Sequence, residues 1–267
     1  MIPDDFFGPR EGTLVIGHRG AAAAAPENTL PSLRRAVEDG AEAVEFDLRT
    51  TLDRRLVLIH DETVDRTTDG SGPVAEMTLA ELRELDAGHA FTPDRGRSHP
   101  FRGEDVRIPT LDEALGALDD LPVIVELKSE AAGRRLATWL EERPGAAGRM
   151  LVGGFEPEAA GPPSRLARWR GAWRDELIPY VLAGKVGLAG LAVPDADAAV
   201  VPERRGLIRI VTRRFVRRVH RDGMGVHVWT VNRADRMRAL MAMGVDGILS
   251  DAPARIRRVR EERAASG

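Results

Sequence analysis

Two histidines and three carboxylates of this sequence belong to short apolar runs of strand length. His18 ends the run TLVIGH, and His60 ends the run LVLIH. Glu45 and Asp47 alternate with apolar residues in AVEFDL, and Glu126 does the same in PVIVELK. Because successive side chains of a strand point to opposite faces, each carboxylate-bearing run has one apolar face and one polar face. The pattern predicts a cluster of ionisable groups at the ends of neighbouring strands.

Three carboxylates that face one another repel strongly unless positive charge lies between them. A bound cation removes the repulsion. An all-oxygen set such as Glu45, Asp47 and Glu126 favours a hard ion, Mg²⁺ or Ca²⁺, over zinc. We therefore predict a divalent cation site. The alternative is a set of carboxylates that form salt bridges with inward-facing arginines.

The two histidines are placed to act on a group bound at this site. A turn midway through LRTTLDRRLV predicts a hairpin between 43–49 and 56–60, which puts His60 roughly opposite Asp47. His18 approaches from the end of the neighbouring first strand. Such a pair can supply the acid and the base of a hydrolysis, whereas a single histidine at a strand end is more often structural. The sequence does not assign the two roles.

Positively charged residues accompany the carboxylates. Arg19 follows His18 directly, and Lys128 shares a strand face with Glu126. The site is therefore suited to an anionic substrate, with phosphate as the natural group. Trp229 in VHVWTV presents a face to the same pocket, although simple packing would explain it equally well.

Rare residue types mark further positions. The chain has two lysines, Lys128 and Lys185, two asparagines, Asn28 and Asn232, and no glutamine. A rare type in an arginine-rich chain asks for a specific reason, although chance would also account for it. For Asn28 and Thr29 the reason we predict is capping of the helix that follows them.

Eight apolar runs of strand length alternate with helix-like amphipathic segments. The runs are 13–18, 43–48, 122–128, 150–155, 177–183, 207–211, 226–231 and 246–251. This alternation predicts an α/β fold with parallel strands and right-handed crossovers. Eight such units in a chain near the usual ~250 residues predict a closed (β/α)8 TIM barrel, with a doubly wound open sheet as the alternative.

The segment 61–108 is too long for an ordinary connection between a strand and a helix. We expect it to form a small cap, inserted between the second strand and the second helix and standing over the C-terminal face of the barrel. No low-complexity linker divides the chain, so we predict that residues 1–267 form a single domain.

The composition argues against several function classes. With 39 basic and 42 acidic residues the formal net charge is -3, which speaks against nucleic-acid binding. The chain has no cysteine, which excludes disulfides and thiolate metal sites. No apolar run reaches the roughly 18 residues of a membrane span, and the N-terminus lacks a secretory pattern, so we expect a cytoplasmic protein. The arginine-rich segment TRRFVRRVHR predicts a solvated helix face, with contact to a phospholipid surface as the less favoured interpretation.

An ordered set of motifs covers most of residues 14–254: GHRG, PENT, EFD, IHDETVDRTTDGSG, IPTLDEAL, VELK, VHVWTVN and GVDGILSDAP. This set resembles the glycerophosphodiester phosphodiesterase family. The resemblance implies a (β/α)8 barrel with an inserted cap, and hydrolysis of small glycerophosphodiesters to glycerol 3-phosphate and an alcohol. It also implies roles for eight residues: metal binding by Glu45, Asp47 and Glu126, acid–base catalysis by His18 and His60, and phosphate or substrate contacts by Arg19, Lys128 and Trp229.

Alternatives to this function use the same site. One is a phospholipase D-type activity on lysophospholipids. A second is a non-catalytic barrel that binds phosphate or lipid, which would have no need of two proton-transfer groups. A third is a metal-dependent aldolase or isomerase barrel in which Lys128 forms a Schiff base, but the neighbouring Glu126 would keep that lysine charged. Within the main hypothesis, either water attacks phosphorus directly or the glycerol 2-hydroxyl first forms a cyclic phosphate.

Overall fold

The strands form a nine-stranded sheet that curls into a barrel, in a computed structural model that describes residues 2, 5–154, 165–185 and 192–265. In chain order the strands are β1 (Leu14–His18), β2 (Ala43–Thr50), β3 (Leu56–Leu58), β4 (Val123–Leu127), β5 (Met150–Gly154), β6 (Trp169–Arg170), β7 (Ala198–Pro202), β8 (Arg204–Arg205), β9 (Ile208–Arg209), β10 (Gly225–Trp229) and β11 (Gly247–Ser250). Strands β8 and β9 form a separate two-stranded hairpin.

Helices follow most of the barrel strands. They are α1 (Leu30–Glu38), α2 (Leu79–Glu84), α3 (Leu111–Ala117), α4 (Glu130–Glu142), α5 (Pro144–Ala147), α6 (Arg174–Lys185), α7 (Arg213–Arg221), α8 (Ala234–Met241) and α9 (Pro253–Ala265), with a 3₁₀ turn at Val74–Glu76. Helices α2 and α3 each begin with a capping box, in which a threonine and a glutamate exchange hydrogen bonds with the backbone. None of the helices in the described ranges is long and apolar enough to cross a membrane.

Eight parallel strands close the barrel. The hydrogen-bonded order is β6-β5-β4-β2-β1-β11-β10-β7, and β3 pairs antiparallel with β2. The two ends of this order meet at a parallel bridge between Gly171 and Ala198, where the Ala172 amide donates to the Ala198 carbonyl at 2.7 Å. The predicted (β/α)8 barrel is confirmed, and the open-sheet alternative is wrong.

Successive side chains of each barrel strand point alternately outward and inward, which gives one apolar layer under the helices and a second inside the barrel. Val44, Phe46 and Leu48 of β2 face outward and pack under the helices. The opposite faces of the strands fill the barrel interior with residues such as Ile16 and Ile124, and Phe7 packs against this interior cluster. This interior also holds the buried His227 against Phe7, and it becomes strongly polar toward the C-terminal strand ends, where barrel enzymes carry their sites.

Two of the eight predicted strands are wrong. The run 177–183 lies in helix α6, and the run 207–211 overlaps the small β8–β9 hairpin. Tyr180 is fully buried whereas Leu182 is 55% exposed. Those two side chains would share a face in a strand but lie on different sides of a helix, which explains the error.

The true fifth and sixth barrel strands are β6 and β7. Strand β6 has two residues, which is too short to give an alternating signal, and β7 reads AAVVP, in which alanine gives little contrast. The other six predicted strands are confirmed, with small shifts at their ends. The last residue of the predicted strand 150–155 lies outside the described residues.

The insertion 61–108 occupies the predicted place between β2 and the helix α3. It packs around an apolar cluster of its own, which includes Val64, Leu82 and Ile108. Its Arg66 forms an ion pair with Glu27 in the loop after β1, so the insertion reaches the C-terminal end of the barrel. The single-domain organisation stays a prediction.

Candidate active site

The three predicted metal-ligand carboxylates meet at the C-terminal ends of adjacent strands. Asp47 of β2 pairs in register with Glu126 of β4, and Glu45 of β2 pairs with His18 of β1. Each carboxylate offers one oxygen that lies within 4.8 Å of the oxygens offered by the other two. Strand register therefore produces the cluster that side-chain alternation predicts.

The three carboxylates are close together and largely removed from water, so ionising all of them is unfavourable. Glu45 and Asp47 are buried, at 3% and 0% exposed. Burial and the neighbouring Asp47 charge raise the pKa of Glu45 to about 8. Burial also raises the pKa of Glu126, although Lys128 opposes the effect. At Asp47 burial acts in the same direction, but Lys128 and Arg19 outweigh it and hold the pKa of that carboxyl below its usual range.

The donor set fits a hard divalent cation. Among the described residues, the buried Asp47 Oδ1 receives no well-aligned hydrogen bond, although Lys128 Nζ lies 3.0 Å away. All three groups would coordinate a metal through oxygen. A bound cation would also relieve the repulsion between like charges that helps to raise the pKa of Glu45. This acidic triad could hold a metal ion.

His18 is held by residues of the barrel. Its Nδ1 lies 2.7 Å from Asp251 Oδ1, and its Nε2 lies 3.3 Å from Thr230 Oγ1. Asn232 fixes Asp251 by donating from Nδ2 at 2.5 Å and accepting from the Asp251 amide at 3.0 Å. Burial disfavours the charged imidazole, but Asp251 and Glu45 outweigh it and raise the pKa of His18.

His60 belongs to a chain of charges that crosses from the insertion to the barrel. Its Nδ1 lies 2.6 Å from Asp61 Oδ1, and Asp61 accepts from Arg66 Nε at 2.5 Å. Arg66 donates to both oxygens of Glu27 at 2.7 and 2.9 Å, and Glu27 accepts from Arg19 Nη1 at 2.7 Å. Arg66 and His60 outweigh the effect of burial and lower the pKa of Asp61 to about 2.

The predicted hairpin brings His60 to the cluster. Leu58 pairs with Leu48, and the Ile59 amide donates to the Asp47 carbonyl at 3.2 Å. Residue 59 is therefore opposite Asp47, and His60 lies one residue farther along than expected. His60 still acts on Asp47, because its ring is among the groups that lower the pKa of that carboxyl, after Lys128 and Arg19.

Arg19 and Lys128 supply positive charge inside the cluster. The Arg19 amide donates to Glu45 Oε2 at 2.9 Å, and Arg19 Nε lies 3.1 Å from Asp47 Oδ2. Arg19 adopts a left-handed backbone with φ 52°, a sparsely populated conformation that is often found at functional sites. Lys128 forms ion pairs with Asp47 and Glu126. These contacts resemble the salt-bridge alternative, but they leave the pKa of Glu45 raised.

Trp229 is the last residue of β10 and is half-buried. It packs against the apolar interior of the barrel and pairs in register with Pro202 of β7. It lies at the C-terminal end of its strand, and packing accounts for part of the side chain, while its role in substrate contact stays a prediction.

Asn28 does not have the capping role that the sequence suggests. Its Nδ2 donates to Asp47 Oδ2 at 2.8 Å, and its Oδ1 accepts from the Asp47 amide at 3.2 Å. Thr29 occupies the N-cap of α1, but its hydroxyl donates to the Pro26 carbonyl at 2.5 Å and accepts no cap bond. Residue rarity was the useful signal, since Asn28 and Asn232 are the two asparagines of the chain and both support this site.

Sequence reasoning missed four further site residues. They are the aspartates that partner the two histidines, Asp61 and Asp251, and the two residues that connect Asp61 to Arg19, Arg66 and Glu27. All four lie inside the quoted motifs PENT, IHDETVDRTTDGSG and GVDGILSDAP. The adjacency of Asp61 to His60 was visible, but the long-range contacts of the other three were not.

Comparisons with known proteins agree with this geometry. The model of the glycerophosphoryl diester phosphodiesterase family matches residues 18–150 and 169–255. A glycerophosphodiester phosphodiesterase of Caldanaerobacter subterraneus subsp. tengcongensis is 34% identical, over 90% of this chain and 95% of that protein. One of Bacillus altitudinis is 28% identical, over 94% and 99% of the two chains.

Solved structures show the same similarity. A phosphodiesterase of Oleispira antarctica, in complex with the product sn-glycerol-3-phosphate, superposes with a TM-score of 0.74 at 26% identity, over 94% of this chain and 97% of that one. A glycerophosphodiester phosphodiesterase of Agrobacterium tumefaciens gives a TM-score of 0.70 at 28% identity, over 92% and 99%. The chain belongs to the glycerophosphoryl diester phosphodiesterase family.

Proposed function

We propose that this protein hydrolyses glycerophosphodiesters to glycerol 3-phosphate and an alcohol, with a divalent cation and two histidines. The observation that carries the proposal is the convergence of an acidic triad and two histidine–aspartate pairs at one end of the barrel. Family membership supports it, as does the product held by the similar Oleispira enzyme.

Glu45, Asp47 and Glu126 are the residues that would hold the cation, Mg²⁺ or Ca²⁺. When bound, such an ion polarises phosphoryl oxygens and offsets the charge that develops on them. Without it, the raised pKa of Glu45 favours a protonated carboxyl.

The histidines divide the proton transfers. Each has Nδ1 against an aspartate, which orients the ring and leaves Nε2 as the nitrogen that exchanges a proton with the substrate. His60 takes the proton of the attacking hydroxyl, which is that of water or of the glycerol 2-position, as its oxygen bonds to phosphorus. Attack by water gives glycerol 3-phosphate directly, whereas attack by the 2-hydroxyl gives a cyclic phosphate that a water then opens. The phosphorus–oxygen bond to the leaving alcohol breaks, and His18 donates a proton to that oxygen. The raised pKa of His18 favours the charged ring that an acid requires.

Arg19 and Lys128 bind the phosphate and share the negative charge of the transition state. Both already lie beside Asp47, so they are positioned before substrate arrives. Trp229 forms an apolar wall at the mouth of the barrel against the glycerol or alcohol part of the substrate.

The test is an assay of purified protein on glycerophosphocholine and on a lysophosphatidylcholine, with glycerol 3-phosphate and free choline as readouts. We expect glycerol 3-phosphate from glycerophosphocholine in the presence of Mg²⁺ or Ca²⁺. Choline released from the lysophospholipid alone would favour the phospholipase D-type alternative. No turnover of either substrate, with binding retained, would indicate a non-catalytic barrel.

A further inference from the structure

A short basic hairpin with an apolar tip extends from the barrel at residues 203–210, and we call it the tip hairpin. Strands β8 and β9 pair antiparallel around the turn at Gly206, whose φ of 57° suits glycine. Every residue from 204 to 209 is exposed. Leu207 is 96% exposed and Ile208 is 52% exposed, so two large apolar side chains point into solvent at one place. Scattered single apolar residues are ordinary on a surface, but an adjacent pair at a projecting tip needs an explanation.

The tip hairpin lies on the same end of the barrel as the candidate active site. It directly follows β7, whose last residue, Pro202, pairs with Trp229. Since all barrel strands are parallel, the hairpin leaves from the end that also carries the acidic triad. Its base is braced, because the Ile210 and Val211 amides donate to the Glu203 carbonyl at 3.0 and 3.2 Å. The Glu203 carboxylate also forms an ion pair with Arg236 of α8.

The tip hairpin and the first turn of α7, which follows it in the chain, carry a local excess of positive charge. Exposed arginines occupy five positions: 204, 205, 209, 213 and 214. No acidic residue occurs between 204 and 221. In the parts of the chain that the structure describes, no carboxylate pairs with any of these five guanidinium groups. This charge contrasts with the formal net charge of -3 for the whole chain.

We propose that the tip hairpin docks this protein on an anionic phospholipid surface. Leu207 and Ile208 would enter the interface between headgroups and acyl chains, and the arginines would lie against lipid phosphates. Apolar residues flanked by basic ones are typical of elements that lie in a membrane interface. A nucleic acid would match the arginines but leave the apolar tip in water. A second copy is disfavoured because the exposed stretch is far smaller than the roughly 20–30 residues that a stable protein interface uses on each side.

Docking would turn the mouth of the barrel toward the lipid. Binding itself does not depend on the proposed hydrolysis, so the two can fail separately. If both hold, the site can take a lysophospholipid or a glycerophosphodiester that lies at the membrane surface.

Binding is measured by co-sedimentation of the full chain with vesicles of phosphatidylcholine that contain phosphatidylglycerol, and with vesicles of pure phosphatidylcholine. We expect binding to the anionic vesicles and little to the neutral ones. Leu207→Ser should weaken the binding by about tenfold or more, as should the combined Arg204→Gln, Arg205→Gln and Arg209→Gln variant. Salt of about 1 M, which shortens the Debye length to ~3 Å, should remove most of the binding.

Matched control variants remove an apolar side chain or three arginine charges at other surface positions. Val37→Ser removes an exposed apolar side chain from α1, and the triple change Arg34→Gln, Arg258→Gln and Arg263→Gln removes the same charge from exposed positions outside the tip hairpin. Both controls should bind vesicles like the unaltered protein, and all variants should hydrolyse soluble glycerophosphocholine alike. The proposal is overturned if the unaltered protein ignores anionic vesicles, if the controls lose as much binding as the tip variants, or if Leu207→Ser only changes the oligomeric state in sedimentation velocity.

Discussion

The two histidine–aspartate pairs of the site differ in what holds them. His18 and Asp251 belong to barrel strands and their ends, and Asn232 fixes the aspartate. His60 and Asp61 follow the β3 hairpin strand, and Arg66 of the insertion connects them to Glu27 in the loop after β1. The His18 side chain is 15% exposed and that of His60 is 34% exposed.

We call His18 with Asp251 the barrel pair, and His60 with Asp61 the insertion pair, because different parts of the molecule hold them in place. The barrel pair is fixed by the same strand register that closes the sheet, so it should resist small changes nearby. The insertion pair depends on partly exposed ion pairs, which are weaker and are screened by salt. We therefore expect the two pairs to be equally necessary for turnover but unequally sensitive to substitutions around them.

Loss of either imidazole should have the largest effect. His18→Ala and His60→Ala should each lower kcat by roughly 10²–10⁴-fold, the usual contribution of a positioned acid or base. Circular dichroism and metal binding should stay close to those of the unaltered protein. If one variant keeps near-normal turnover, that histidine is structural and the proposed division of proton transfers is wrong.

Lys128, which forms ion pairs with Asp47 and Glu126, should have the next largest effect. Lys128→Arg keeps the charge but replaces a compact ammonium with a planar fork, so kcat/KM should fall about tenfold or more, or ~1.4 kcal/mol, with Tm nearly unchanged. Lys128→Met should cost more activity. A large drop in Tm, with normal turnover in the folded fraction, would show that Lys128 serves the barrel rather than the substrate.

The link to the insertion should have a smaller, selective effect. Arg66→Gln breaks the contacts with Asp61 and Glu27, and we expect kcat to fall roughly three- to fivefold, since partly exposed ion pairs contribute about 1 kcal/mol or less. The matched control is Arg83→Gln, which breaks a similar exposed ion pair between the insertion and Glu113 of α3. Equal losses in the two variants would mean that Arg66 supports only the fold.

Loss of Asp251 from the barrel pair should change the pH dependence of kcat/KM. Because Asp251 helps to raise the pKa of His18, the charged ring persists to higher pH than in a free histidine and is lost as pH rises through that pKa. If His18 is the acid, kcat/KM should fall on the alkaline side as the His18 ring loses its proton. Asp251→Asn should move this alkaline limb to lower pH, whereas Asp61→Asn should leave it in place. An unmoved limb in Asp251→Asn would contradict the acid assignment.

Particular residues show how far the sequence could predict this molecule. Glu45, Asp47 and Glu126 were predictable because strand alternation alone sets their common face, and parallel register then brings them together. The strands β6 and β7 were not, since neither carries an alternating pattern. The roles of Arg66 and Asn28 depend on partners distant in sequence, which local patterns do not encode.

The most direct test of the proposed function is metal-dependent turnover of glycerophosphocholine by the unaltered protein and by Glu45→Gln. After chelation, the unaltered protein should be inactive and should recover with added Mg²⁺ or Ca²⁺. Glu45→Gln keeps the shape of the side chain but removes one charge from the triad, so it should need a clearly higher metal concentration and reach a lower rate. Full activity in the presence of chelator, or an identical metal titration for the two proteins, would contradict a metal site at Glu45, Asp47 and Glu126.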